Sequence, residues 1–451
     1  MKTFRAGAAT SNITPPIGTS LNGGMHDRAA THIHDELHAR ALVLDDGDDR
    51  LALVVCDSCM LPGAVIEAGK HHAHELCGMP LDRILVSATH THSAPTAAPV
   101  FQSEPSEEYL EFLALRIGDG IARAVNNLAP AKIGWGRAEL ADQVFNRRWK
   151  MKSGVIPPNP FGQADQVQMN PGVGSPNLVE PAGPTDPEIS FIALKGADDQ
   201  PLALFANYSL HYVGDVPGTY VSADYYGAFA NRIRHRLAAE QRDPPFVGIM
   251  SNGTSGNINN INFREARPQQ PPYGQLMMVA DRAAEQVAAA YQSVQFHDHA
   301  ALDSREARLT LGRRLPTADD VKRAQFILSQ AKGEQLGTLE EIYAGETVAM
   351  KDLPPTIDLP VQALRIGELG IAAIPCEVFV ETGLAIKAES PLKPTFVISL
   401  ANDYAGYLPT PEHHALGGYE TWRARSSFLA VDAEPKIRAQ ALALLGELAK
   451  L

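Results

Sequence analysis

Two histidines two residues apart close the run Ile84-Leu85-Val86-Ser87-Ala88-Thr89-His90-Thr91-His92-Ser93-Ala94-Pro95. Its apolar half reads as a buried strand, and its polar half as the loop into which that strand opens. In an extended chain residues two apart face the same side. His90 and His92 can therefore address one metal ion, or one can bind while the other supports it. A third imidazole, His211, ends the apolar run Ala206-Asn207-Tyr208-Ser209-Leu210-His211, and a carboxylate, Glu377, ends Ile374-Pro375-Cys376-Glu377. Three strand ends, distant in sequence, thus offer histidine nitrogens and one carboxylate. Zinc favours that donor set, with a position left for water. Arg147 lies in the basic run Asn146–Lys152 of a chain whose formal charge is −13. The run is either a solvated turn or a clamp for a carboxylate or phosphate, for which arginine offers a bidentate fork.

The remaining candidates are plainer. His71, His72 and His74 fall on a charged helix, and His297 and His299 in a polar turn, so both groups read as solvated. His26, His32, His34 and His38 are scattered among Asp27 and Asp35, and His413 and His414 sit in a loop near other candidates and stay open. Cys56 and Cys59 form a CxxC at the end of an apolar run; with no second CxxC to complete a zinc site, they read as a strand end.

The positioning elements alternate. HARALVLD and RLALVVCD flank the turn Asp46–Asp49 and suit a hairpin. Residues 62–76 look helical, and Ser106 is placed to cap a helix running to about Leu128, with Tyr109, Phe112, Leu113, Ile117, Ile121 and Val125 on its apolar face. Strand patterns return at ISFIALK, PLALFANYSLHYV, ALRIGELGIAAIP and TFVISLAND, and helices at about 225–240, 274–291, 317–333 and 433–449, the third capped by Thr317. These patterns predict an α/β or α+β fold, a central mixed sheet covered by helices with a metal site at strand ends. No linker divides the chain, so 1–451 reads as a single catalytic domain, with a long loop or lid at about 150–187, where Pro, Gly, Asn and Gln dominate.

Apolar residues make up 45 % and charged residues 20 % of the 451, which excludes a disordered chain. With 52 acidic against 39 basic residues there is no general attraction for nucleic acid or an anionic membrane. The N-terminus lacks an apolar signal core, so a cytoplasmic protein is expected.

The chain resembles the neutral (non-lysosomal) ceramidase superfamily. The resemblance rests on Asn12-Ile13-Thr14-Pro15-Pro16, HDELHARALVL, VVCDSCML, THTHSAP, Asn146-Arg147, NYSLHYV, SADYYG, IPCE and NDYAGYLPTPEHHALGGYE, in that order over nearly the whole length. It implies a zinc ion held by His90, His211, Glu377 and Tyr407, with His92 as a hydrogen-bonding neighbour and Arg147 and Tyr419 as catalytic groups. Tyr404 stands close enough to compete with Tyr407. Two departures follow from the same comparison. The family's proposed serine nucleophile falls on Asn257 or Asn259, with Ser255 out of register. The family's C-terminal immunoglobulin-like domain has no counterpart before the chain stops.

The expectation is a zinc-dependent hydrolase using metal-activated water on a soluble, polar small molecule, preferably an N-acyl amide with an acidic group. The first alternative is a zinc-dependent carbohydrate-active enzyme acting on a glycosidic bond of an acidic sugar, with Trp149, Tyr225, Tyr226, Tyr404 and Trp422 as stacking faces. The second is a non-catalytic, zinc-stabilised binding protein.

Overall fold

Strands His38–Asp45 and Arg50–Cys56 are buried almost throughout, because both of their faces are covered. Alternate side chains serve different cores: Ala41, Val43 and Val54 face one way, and Leu42, Leu44 and Leu53 the other. The structure is a computed structural model describing residues 2–333 and 335–450.

These strands belong to an eight-stranded mixed sheet. Its order is Val247–Asn252, Pro201–Tyr208, Glu188–Gly196, Ala129–Glu139, Arg5–Asn12, His38–Asp45, Arg50–Cys56, Ile84–Ala88. Only the outermost pair at each edge is parallel. One face is covered by helices α1 (Gly63–Cys77) and α2 (Glu107–Asn126) at one end and by α3 (Asp224–Arg236) and α4 (Gly274–Tyr291) at the other. The Ser106 side chain caps α2 by accepting from Tyr109 N, as its position predicts. Phe112, expected on the apolar face, is instead 38 % exposed at its margin.

The opposite face meets a second sheet, not helices. Leu302–Gly312, Thr356–Ile366, Leu369–Ala373 and Thr395–Ile398 form it in that order. Leu364, Ile371, Phe396 and Ile398 from this sheet pack on Leu44, Leu85, Ile192 and Phe205 from the first. The helix pair α5 (Ala318–Gln330) and α6 (Leu339–Met350) follows the first strand of this sheet. Helix α7 (Val380–Glu389) and, after the short α8 (Pro411–Leu416), α9 (Ala433–Leu448) cover its outer face. The expected mixed sheet covered by helices is present. The sequence reading missed the second sheet as a covering layer, and with it the Leu302–Gly312 strand, α6 and α7.

Residues 150–187 are not one open loop. Arg148–Met151 pairs with Val167–Met169 and Leu178–Pro181 in a small three-stranded sheet.

One segment gathers the strand ends. After Thr395–Ile398 the chain runs between the two edges of the large sheet. Ser399 N donates to Asn252 O at one edge, while Ala88 N donates to Leu400 O and Asn402 N to Val86 O at the other. Leu400 N also donates to Cys376 O. Leu400 and Asn402 hold positive φ of 55° and 62° to make these turns. The ends that carry His90, His211 and Glu377 are thereby brought to one place.

Candidate active site

His90, His211 and Glu377 lie together, each buried, with a ligand atom from each within 4.8 Å of the others. His90 Nε2 is 3.1 Å from His211 Nε2, 3.2 Å from His92 Nε2 and 3.2 Å from Glu377 Oε2. The rings are fixed from behind. Nδ1 of His90 donates to Cys59 O (2.6 Å), Nδ1 of His92 to Gly23 O (2.8 Å), and Nδ1 of His211 to Ser255 O (3.1 Å). A carbonyl only accepts, so each Nδ1 carries the proton and each Nε2 presents a lone pair inward. The convergence does not come from strand alternation, as expected of the HxH: His90 has left the strand and takes φ 75°. Gly23, at φ 95°, lies so close that a Cβ there would sit 2.5 Å from the His92 side chain. Tyr212 stacks on the other side of His92 at 3.7 Å.

This donor set fits a cation. The Nε2 atoms of His92 and His211 and Glu377 Oε2, a buried oxygen, converge on Nε2 of His90. Histidines that donate Nδ1–H to carbonyls while offering Nε2 are arranged as metal ligands are. Glu377 draws positive charge to this point: burial opposes it, but the carboxylate pushes the His90 imidazole up to about 10, so a second proton on Nε2 competes with a cation for the same lone pair. Burial and then Arg147 hold His211 well below its ordinary value, and burial and then His90 do the same to His92.

Glu377 and Tyr407 are direct partners in a short parallel pairing, so their side chains start from adjacent backbones. The Tyr407 hydroxyl accepts from Arg147 Nη2 at 3.0 Å, and the Tyr404 hydroxyl donates to Glu377 Oε1 at 3.3 Å. Both phenols, with Tyr419, line a cavity of about 70 Å³ beside His90, His92 and Glu377. Burial raises all three phenols, with Glu377 adding to it, so they carry their protons. A larger hollow of about 700 Å³, beside His34, Arg40 and Arg123, shares no lining residue with this cavity.

Arg147 is 4 % exposed, which removes the solvated-turn reading. Its Nε donates to Glu420 Oε1 (2.8 Å), its Nη2 to Gly256 O (2.8 Å) as well as to Tyr407, and its Nη1 faces His211 Nε2 at 3.2 Å. The fork is filled by the protein and reaches two of the predicted ligands. Arg148 shares Glu420, at 2.6 Å to Oε2. Glu420, fully buried between two guanidiniums, went unassigned in the sequence reading. Two adjacent arginines in an acidic chain were the signal that an acid must meet them.

The asparagines at the family serine position are structural. Asn257 donates to Glu381 and accepts from Val380 N, and Asn259 donates to Asn170 and accepts from Ile261 N. Of the proposed stacking faces, Tyr225 and Tyr226 are buried with both hydroxyls on Leu210 O, and Trp149 is buried against Phe263. Trp422 donates to Asp165, leaving Tyr404 as the one of the five that lines the cavity. His413, left open by the sequence, pairs with Glu381 at 2.9 Å. His72 pairs with Asp119, and His297 stacks on Trp135.

Two solved structures share the fold across 100 % of this chain. One is described as neutral ceramidase from Pseudomonas aeruginosa (TM-score 0.75, 19 % identity, 75 % of that chain covered). The other is a ceramidase complexed with C2 (TM-score 0.72, 18 % identity, 76 % covered). Residues 4–271, more than half of the chain, match the family described as neutral/alkaline non-lysosomal ceramidase, N-terminal. The chain therefore belongs to the neutral/alkaline non-lysosomal ceramidase family, a family of metal-dependent hydrolases.

Proposed function

We propose that the chain is a zinc-dependent hydrolase of N-acyl amides that acts without a serine nucleophile. The observation that carries the reading is the meeting at His90 Nε2 of His211 Nε2 at 3.1 Å and Glu377 Oε2 at 3.2 Å, each from a different strand end. His90, His211 and Glu377 would hold the ion, with Tyr407 as the fourth ligand. A bound zinc ion supplies a Lewis acid that polarises the scissile carbonyl and acidifies water. Tyr419, protonated and on the cavity wall, donates to the carbonyl oxygen as it gains charge. His92 Nε2, with Nδ1 held on Gly23 O, would take the proton that the attacking water gives up and pass it to the leaving amine. Arg147 is a positioning residue: it holds Tyr407 in place, with Glu420 behind it, and its Nη1 must release His211 Nε2 for that nitrogen to bind an ion. An acidic group on the substrate therefore has no clamp in Arg147, and the amine half is proposed as polar only.

Purified protein is expected to carry about one zinc per chain, as a single site of this kind holds. It should release a carboxylic acid from N-acyl amides and no reducing sugar from acidic glycosides. His90→Ala and His211→Ala should lose both metal and activity with the fold retained. Full metal occupancy in both variants would refute the ligand assignment. A zinc-loaded protein that cleaves no amide would leave the binding-protein reading in its place.

A further inference from the structure

The cavity beside the histidines is small for its family name. At ~10–15 Å³ of free volume per water-sized group, about 70 Å³ holds roughly five to seven such groups. That falls well below the ~300–1,000 Å³ of sites that enclose drug-sized ligands. One wall is apolar: Cys59, Met60, Ala98 and Val100 form a separate small core, with Phe101 and Tyr404 packed on it. The wall is pinned. Gln102 donates to Met25 O (2.9 Å) and Leu336 O (3.1 Å) and accepts from Leu336 N (2.7 Å), tying the wall to the Gly23–Gly24 side and to the segment before α6. Arg425 donates to Phe101 O at 2.6 Å while paired with Glu346 of α6, and Tyr343 of α6 meets the Phe101 ring edge-on at 5.9 Å.

We propose that the substrate carries a short acyl group seated on the Met60–Val100–Phe101 wall, and that Phe101 sets the limit on its length. The proposal rests on the amide-hydrolase reading and narrows it. A hydrocarbon of two to four carbons fills the space against this wall, and a longer chain continuing along it meets a ring held on one side by α6 and at its backbone by Arg425.

The test compares acetyl, butyryl, octanoyl and palmitoyl amides of one polar amine, using the protein as isolated. In parallel, binding of acetate, butyrate and octanoate is measured by calorimetry. From butyryl to octanoyl, kcat/KM is expected to fall about tenfold or more, with octanoate binding correspondingly weaker than butyrate. Phe101→Ala should move the fall to longer chains. Val100→Ala serves as the second variant should Phe101→Ala fail to fold. A kcat/KM that rises toward palmitoyl, or a length profile unchanged in both variants, overturns the proposal. Failure of the hydrolase reading looks different: no amide is cleaved, yet the carboxylates are still sorted by length and the variants relax the sorting, which supports the wall assignment. Equal binding of all carboxylates overturns it.

Discussion

The Ser255 hydroxyl lies 3.4 Å from Nδ1 of His211, behind the ring whose Nε2 faces His90 at 3.1 Å. A serine nucleophile needs its hydroxyl at a base and its attack line open to the carbonyl. Here the proton on Nδ1 goes to the Ser255 carbonyl, so that nitrogen is no base. Ser255→Ala should therefore keep most activity, and rapid mixing should show no burst of first product. A stoichiometric burst, or an acylated Ser255 found by mass spectrometry, would show that the serine attacks.

The two neighbouring phenols separate by function. Tyr407 shares a backbone pairing with Glu377 and a hydrogen bond with Arg147, whose charge opposes, without overcoming, the rise that burial and Glu377 impose on the phenol. Tyr404 donates to Glu377 Oε1 and so orients that ligand. Loss of a group that orients a ligand typically costs about 10–100-fold in metal affinity. Tyr404→Phe should fall in that range, and Tyr407→Phe should cost more. Competition with a chelating dye measures both. If Tyr404→Phe proves the more damaging, the two roles are exchanged.

Much of this was legible before any coordinates. The hairpin, the cap at Ser106 and the strand ends carrying His90, His211 and Glu377 follow from local rules: periodicity, turn residues, and polar groups ending apolar runs. What stayed hidden depends on partners far away in sequence. The Leu302–Gly312 strand carries Asp303, Arg305, Glu306 and Arg308, and reads as polar because its outward half is partly exposed. Helix α7 contains Gly383, and α6 contains Gly345, so neither shows a strong helical signal. The meeting of Glu420 with Arg147 and Arg148 spans more than 270 residues, so the adjacent arginines signal that an acid meets them but not which one.

Glu420 is the group on which the arginines depend. Removing one partner of a buried ion pair leaves an uncompensated charge, at a cost of about 3–5 kcal/mol. Glu420→Gln leaves two guanidiniums in that state, and Arg147 no longer holds Tyr407. Denaturant unfolding should show a loss of this order, and activity should fall even at temperatures where the variant remains folded. A stability change below about 1 kcal/mol would mean that water replaces the carboxylate, as it does around exposed pairs.

The same cluster gives an acid dependence with a defined sign. Burial, and then Arg314 and Arg148, hold His414 down to about 3 from its ordinary 6.5. Below 6.5 the unfolded chain takes up a proton that the folded chain refuses. The stabilisation is therefore full above 6.5 and is lost as pH falls toward 3. Glu420 adds to the loss lower down: burial opposes it, but Arg148 and Arg147 pull its carboxyl below 4.5, and its contribution disappears as that group protonates. Urea midpoints should fall between pH 7 and pH 5, and His414→Gln should make that fall shallower, with His92 and His211, also held low, supplying the remainder. An equally steep fall in the variant would assign the dependence to other groups.

Asn402 offers a test of how the site is assembled. Its backbone N–H donates to Val86 O, its side-chain oxygen accepts from Val86 N at 3.1 Å, and its amide donates to Gln362 Oε1 at 2.7 Å. The residue thus closes the exposed backbone of the Ile84–Ala88 edge four residues before His90, and links it to the second sheet. Its φ of 62° is one that asparagine tolerates better than most side chains. Asn402→Ala strands a buried N–H on Val86 and a buried oxygen on Gln362, each costing about 1–3 kcal/mol. Asn402→Asp keeps the acceptor for Val86, but its buried carboxylate faces Gln362 Oε1 as an uncompensated charge, at a cost of about 3–5 kcal/mol. Stability at pH 7 should therefore rank wild type, Ala, Asp. Metal affinity should fall in the same order, although Asn402 touches none of the proposed ligands, because the edge it fixes carries His90. Metal affinity that stays constant while stability falls would show that the His90 loop holds its place without this segment.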